Sequence, residues 1–199
     1  MTPTAGTLRW IGACATALAC ALLLSASAPD ARAEGTDCGP HVDSTPDEAT
    51  IRELRRALGC LINAERAERD RKNLRPNADL TGVAKRHTKV MLAEQCFKHE
   101  CPGERPLKKR IETSGYLEPG ERYGYGENLG CSTTPANMVE AWMTSASQFH
   151  KKNILDRKFR HIGIGAKQGT PYPRGSDQCR PGRHYVTYTV IFGWRKPAA

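Results

Sequence analysis

Tyr185-Val186-Thr187-Tyr188-Thr189-Val190-Ile191-Phe192-Gly193-Trp194 is a β-branched and aromatic run, and upstream of it Ile162, Ile164 and Ala166 alternate with Gly163 and Gly165. Both patterns predict strands. The intervening segment, Gly169 to Gly182, holds Pro171, Pro173, Cys179 and Pro181 and predicts a loop. Every strongly periodic segment before these strands is helical, and no strand–helix–strand alternation is present to build a parallel sheet. The fold class is therefore α+β.

Working back towards the N-terminus, Thr45-Pro46-Asp47-Glu48 reads as a capping box with proline at the first helical position. Ile51, Leu54, Leu58, Leu61 and Ile62 follow at helical spacing, predicting a helix over about 46–71. Asn77 caps a second helix to about Glu94, with Leu80, Val83, Ala84, His87 and Met91 as its apolar stripe. His87 on that stripe is expected to be a buried, hydrogen-bonded packing residue. A short helix is expected from Pro106 to Ser114 with Gly115 as its stop. Thr134-Pro135 opens another that carries Met138, Val139, Trp142 and Met143, and Ser147 to Ile154 reads as one more helical turn.

The first 33 residues stand outside this pattern. Arg9 precedes a 15-residue apolar run, Trp10 to Leu24, and small residues lead to Ala31-Arg32-Ala33. That run is shorter than the roughly 20 residues of a membrane span and reads as a secretory signal peptide cleaved after Ala33. The organisation expected is a signal peptide at 1–33, an N-terminal extension at 34–45 and one domain at 46–196, with no transmembrane segment after cleavage and a secreted, extracellular product.

The whole chain has 30 Lys and Arg against 21 Asp and Glu in 199 residues, and a mean hydropathy of −0.57 excludes a polytopic membrane protein. Removing the signal leaves 28 basic against 20 acidic residues, still a basic protein. Arg52, Arg55, Arg56, Arg66, Arg69, Arg71 and Lys72 load the first helix, with Lys108 to Arg110 and Lys151-Lys152 beyond it. Such clusters suit cell-envelope anions or lipid headgroups, although Glu53, Glu65 and Glu68 interleave as on a solvated helix face. Nucleic acid is not expected without a recognised binding module.

Six cysteines remain after cleavage: Cys38, Cys60, Cys96, Cys101, Cys131 and Cys179. An even number in an exported chain predicts disulfides, and six allow 15 pairings among which sequence alone does not choose. The pairing favoured is Cys38–Cys60, Cys96–Cys101 and Cys131–Cys179. Cys96-x-x-His99-x-Cys101 also has zinc-ligand spacing, but an oxidising compartment favours a bridge that holds the turn presenting His99. No Gly-x-Ser-x-Gly elbow is present for a serine hydrolase.

Several segments in order resemble the CAP superfamily, or SCP domain, of exported proteins. Leu61-Ile62-Asn63-Ala64-Glu65-Arg66 is similar to the family's opening helix, Phe97-Lys98-His99 to its Phe-Ser-His element, and Gly126-Glu127-Asn128-Leu129 to its Gly-Glu-Asn signature. Trp142-Met143, Ser145, His150, Asn153-Ile154-Leu155, Phe159 and Ile162 to Gly165 resemble the bacterial branch, and Tyr185 to Trp194 its closing strand. The resemblance implies an α-β-α sandwich, with a short antiparallel sheet between helical layers and one broad cleft. It places His99, Glu127 and His150 in that cleft, with Ser145 where animal members carry a second glutamate and Phe149 where bacterial members usually have glycine. It further implies a divalent metal such as zinc on His99 and His150, and lipid ligands, as in some members. From these follow two expectations: a binding module for an extracellular lipid, glycan or envelope component, or, alternatively, a metal-dependent hydrolase using His99, His150 and Glu127.

Overall fold

The computed structural model describes residues 1, 37–173, 176, 179 and 184–197. The signal-peptide reading and part of the Gly169–Gly182 segment lie outside the described residues. Among the described residues five helices, α1 (Ile51–Ala67), α2 (Ala78–Ala93), α3 (Leu107–Glu112), α4 (Pro135–Thr144) and α5 (Gln148–Leu155), are interleaved with four strands. These are β1 (Arg75–Pro76), β2 (Arg122–Ser132), β3 (His161–Gln168) and β4 (Val186–Lys196), in the order β1-β3-β4-β2. No helix among the described residues is long and apolar enough to cross a membrane.

The first helix begins five residues later than its sequence suggests. Thr45 and Glu48 do close on each other, with Glu48 Oε2 accepting from the Thr45 N–H at 2.8 Å, but they cap only a turn. The working cap is a second box, in which Glu53 N–H donates to Thr50 Oγ1 while Glu53 Oε2 accepts from the Thr50 N–H. At its other end α1 stops at Ala67, not 71. Asp70 turns into the left-handed region at φ 55°, and the Arg71 N–H donates back to Arg66 O.

Arg66 itself is not a surface cation. It is fully buried and donates to the carbonyls of Lys72, Ile154 and Asp156 at 2.8, 2.6 and 3.0 Å. Burial lowers its pKa to about 10. The charge thus serves to fasten the α1 end to the segment after α5, because a guanidinium taken out of water must find fixed acceptors.

Side-chain alternation on the central strand divides the core. Val186, Tyr188, Val190 and Phe192 of β4 join Leu54, Leu58 and Ile62 of α1 and Trp142 of α4 in one cluster. Ile191 faces the other way, into Leu80, Val83 and Ala84 of α2 with Ile111 of α3. On that second face Thr88 Oγ1 donates to Thr189 Oγ1 at 2.9 Å. The result is α1, α4 and α5 on one face and α2 with α3 on the other, an α-β-α sandwich. Gly163 and Gly165 let α2 lie on bare strand: a Cβ at either would strike the helix backbone at Leu80 and Ala84.

Two strand expectations are corrected. β2 pairs with β4 along its whole length, yet Gly124, Gly126 and Gly130 mask it, since glycine weakens a strand pattern. A parallel pair also exists, although only as Arg75–Pro76 against His161–Ile162. Bridges join Cys38 to Cys60, Cys96 to Cys101 and Cys131 to Cys179.

Candidate functional site

The site gathers on β2, which is the edge of the sheet. Three consecutive residues there have three tasks. A Cβ on Gly126 would collide with Asn153 Oδ1 at 2.7 Å and Phe159 Cζ at 3.1 Å, so glycine admits α5 to the strand. Asn128, on the same face by strand alternation, donates from Nδ2 to His150 O at 3.0 Å and accepts from Asn153 Nδ2 at 2.9 Å. Glu127 points the other way and is 1% exposed.

Its carboxylate meets His99. The short loop after α2 is turned by Gln95 at φ 48° and closed by the Cys96–Cys101 bridge, which presents the imidazole with 63% of its side chain exposed. His99 Nδ1 lies 2.8 Å from Glu127 Oε1. An ionised carboxylate only accepts, so Nδ1 carries the proton and Nε2 is left facing outward. Glu127 Oε2 lies 3.8 Å from Arg110 Nη2, and the same nitrogen donates to His99 O.

Arg110 continues the network inward. Its Nη1 lies 3.8 Å from Glu104 Oε1, while Glu104 Oε2 accepts from the Cys101 N–H at 3.2 Å and sits 2.7 Å from Nδ1 of the fully buried His87. His87 is thus the hydrogen-bonded packing histidine its stripe position predicts. A chain of polar side chains, His87–Glu104–Arg110–Glu127–His99, runs from core to surface. Sequence reading assigned no role to Glu104, Arg110, Asn128 or Asn153 here. Only Asn128 and Asn153 had a signal, lying within family motifs.

His150 approaches from the α5 side, its ring 6.5 Å from that of Trp142, whose indole N–H donates to Leu129 O at 2.9 Å. Burial, and then the charge of His99, lower the His150 pKa. The two imidazoles are therefore close enough to repel as cations, and His150 Nδ1 is buried without a hydrogen-bond partner. Ser145 caps the end of α4 and accepts from the Ser147 N–H at 3.2 Å, a bond inside its own turn. Phe149 is 75% exposed, a ring standing in solvent beside His150.

Chemically, this is an oriented imidazole, a neutral imidazole and a carboxylate whose Oε1 is bonded to His99, while its buried Oε2 faces Arg110 at 3.8 Å without a hydrogen bond. Among the described residues no group of three His, Cys, Asp or Glu side chains is arranged to hold a metal. Two imidazoles fall one ligand short of the usual catalytic zinc set, and Glu127 is placed as the orienting carboxylate of a histidine. A catalytic zinc does not fit this donor set.

The model of the cysteine-rich secretory protein family, CAP, matches residues 61–190, and the chain belongs to that family. It is 33% identical over 107 residues to the uncharacterized protein YkwD of Bacillus subtilis strain 168, a match covering 53% of this chain and 39% of that protein. The chain therefore spans about two-fifths of that curated relative. Among solved structures, an extracellular protein of Bacillus anthracis containing an SCP domain matches with a TM-score of 0.54 at 22% identity, covering 77% of this chain and 44% of that one. An outer surface protein of Borrelia burgdorferi matches with a TM-score of 0.55 at 20% identity, covering 74% of this chain and 97% of that one. These structural likenesses bear on the fold, and both agree with the sandwich described above.

Proposed function

We propose that the chain is an exported CAP protein whose domain at 46–196 works as a binding module for an extracellular ligand, a lipid, glycan or envelope component. The observation that carries this reading is the His99–Glu127 pair: a buried carboxylate fixes an imidazole that is itself mostly in solvent. Preorganised donors and acceptors on a rigid edge suit recognition, because little ordering entropy is lost on binding. Neutral His150 and the exposed ring of Phe149 add apolar area beside them, the mix of apolar surface and few polar groups that small-ligand sites use. Export after cleavage at Ala33 is supported by the signal-like first 33 residues, by three disulfides and by matches described as extracellular and outer-surface proteins.

The test is retention of the mature protein on arrays of phospholipids, sterols and envelope glycans, with His99→Ala and His150→Ala variants of unchanged circular dichroism in parallel. A ligand held by the native protein and lost by both variants is expected. One-to-one zinc binding tighter than about 10 μM by calorimetry, lost in His150→Ala and accompanied by ester, peptide or phosphodiester turnover, would overturn the reading in favour of a hydrolase.

A further inference from the structure

Some basic residues of this protein are spoken for. Arg69 pairs with Glu65 and Glu68 at 2.7 and 3.2 Å, Arg195 with Glu121 at 3.4 Å, and Lys108 and Lys109 with Glu112. Arg110 lies between two carboxylates and Arg66 among carbonyls. One place gathers several unpaired cations. A groove of about 480 Å³ between α1, α2 and β3 is lined by Arg52 and Arg55, by Lys85, Arg86 and Lys89, and by Lys167. Among the described residues none of these six is in an ion pair, and no carboxylate lines the groove. Glu53, the nearest acid in sequence to Arg52, has its carboxylate bonded to Thr50.

Six like charges converging on a concavity oppose folding, and a cleft of one sign concentrates counter-ions. The walls do not relax to separate them. α2 rests on β3 through Gly163 and Gly165, and a Cβ on Gly59 of α1 would lie only 3.2 Å from Ile164 Cδ1. The backbones that carry the cations are therefore held in place, two from α1, three from α2 and one from the strand. None of His99, Glu127 or His150 lines this groove.

The chemistry of the lining narrows the occupant. Three guanidiniums offer paired N–H donors that match the oxygens of phosphate or sulfate, and three ammoniums add point charge. No aromatic side chain is present for bases to stack on, which counts against single-stranded nucleic acid. The other lining residues, Ile51 and Ala166, offer only small aliphatic contact, as a sugar or polyol backbone would need. A groove between two helices and a strand also suits a linear chain that can lie along it better than the plane of a bilayer. We propose that this groove binds a linear glycan or polyol polymer carrying phosphate or sulfate groups, at a site separate from the His99–His150 face.

The probes are a poly(glycerol phosphate) oligomer and a heparin oligosaccharide of matched charge, titrated against the mature native protein. The expected result is binding that weakens at least about tenfold between 50 and 200 mM NaCl and falls at least about tenfold again in Lys85→Glu/Lys89→Glu. Lys152→Glu/Lys158→Glu makes the same change in net charge outside the groove, and its affinity should stay within about twofold of native. Preference for the first probe assigns phosphate, and for the second sulfate. Equal losses in the two variants would reduce the effect to net charge and overturn the proposal. So would absence of binding to both polymers, or tighter binding to anionic phospholipid vesicles or to single-stranded DNA. Circular dichroism of both variants shows whether the fold is intact.

Discussion

Burial, and behind it the charge of His99, hold the imidazole of His150 in its neutral form in the folded protein. His161 is lowered as well, by burial first and then by Arg195, Arg75 and Arg160, while its Nδ1 lies 2.8 Å from the Tyr116 hydroxyl. A histidine whose folded pKa is depressed binds its proton more readily in the unfolded chain. Stability is then complete above the unfolded value of about 6.5 and is lost as pH falls below it, towards the folded value. Urea midpoints should accordingly fall between pH 7.5 and 5.0, and His150→Gln should flatten part of that slope, with the part due to His161 remaining. An unchanged slope in the variant would show that His150 does not titrate with folding. At this scale His99, Glu127 and His150 were readable because each sits inside a family motif. Arg110 and Glu104 were not, since a lysine-rich short helix and a proline-rich turn carry no sign that they meet behind a histidine.

The contact between α2 and β3 rests on two missing side chains. Gly163→Ala directs a methyl group into the Leu80 and Thr81 backbone, which cannot rotate away as a flexible side chain would, and should cost at least about 3 kcal/mol. Gly59→Ala is the counterpart. Its methyl meets only the terminal carbon of Ile164, and removing glycine from a helix interior gains up to about 1 kcal/mol, so its change should be near zero or favourable. Equilibrium urea denaturation of the two variants checks both, and equal costs would mean that the close approach is not what glycine at 163 provides. The alternation of Ile162, Gly163, Ile164 and Gly165 made β3 legible, and apolar periodicity did the same for the helices. It could not show β2, whose glycines are there to admit Asn153, Met138 and Trp194, and the box it did show, at Thr45, yields in the structure to one at Thr50. Leu54 and Leu58, both fully buried, lie in the first turns of the helix that the Thr50 box opens.

For the molecule as a whole, the three bridges divide the work unevenly. Cys131–Cys179 spans a sequence separation of 48 residues and Cys96–Cys101 only 5. In the loop-entropy account the first restrains the unfolded chain by about 4 kcal/mol and the second by about 2. Replacing the pair at 131 and 179 with serine should therefore lower the unfolding free energy by about twice as much as replacing the pair at 96 and 101. Urea titration under oxidising conditions measures both losses, and a larger loss from the short loop would mean that the native turn held by that bridge, not chain restraint, governs. The even cysteine count after position 33 announced the bridges, while their partners depended on favouring one pairing among 15.

The order β1-β3-β4-β2 has a further consequence. β4 supplies the backbone partners for both of its long neighbours, and it is made last of the four. Until Val186–Lys196 leaves the ribosome, β2 has no strand to pair with and β3 has only two residues of β1. A nascent chain is thus kept from closing its sheet until its last strand is made. Any product that terminates short of β4 keeps only the two-residue pairing of β1 with β3.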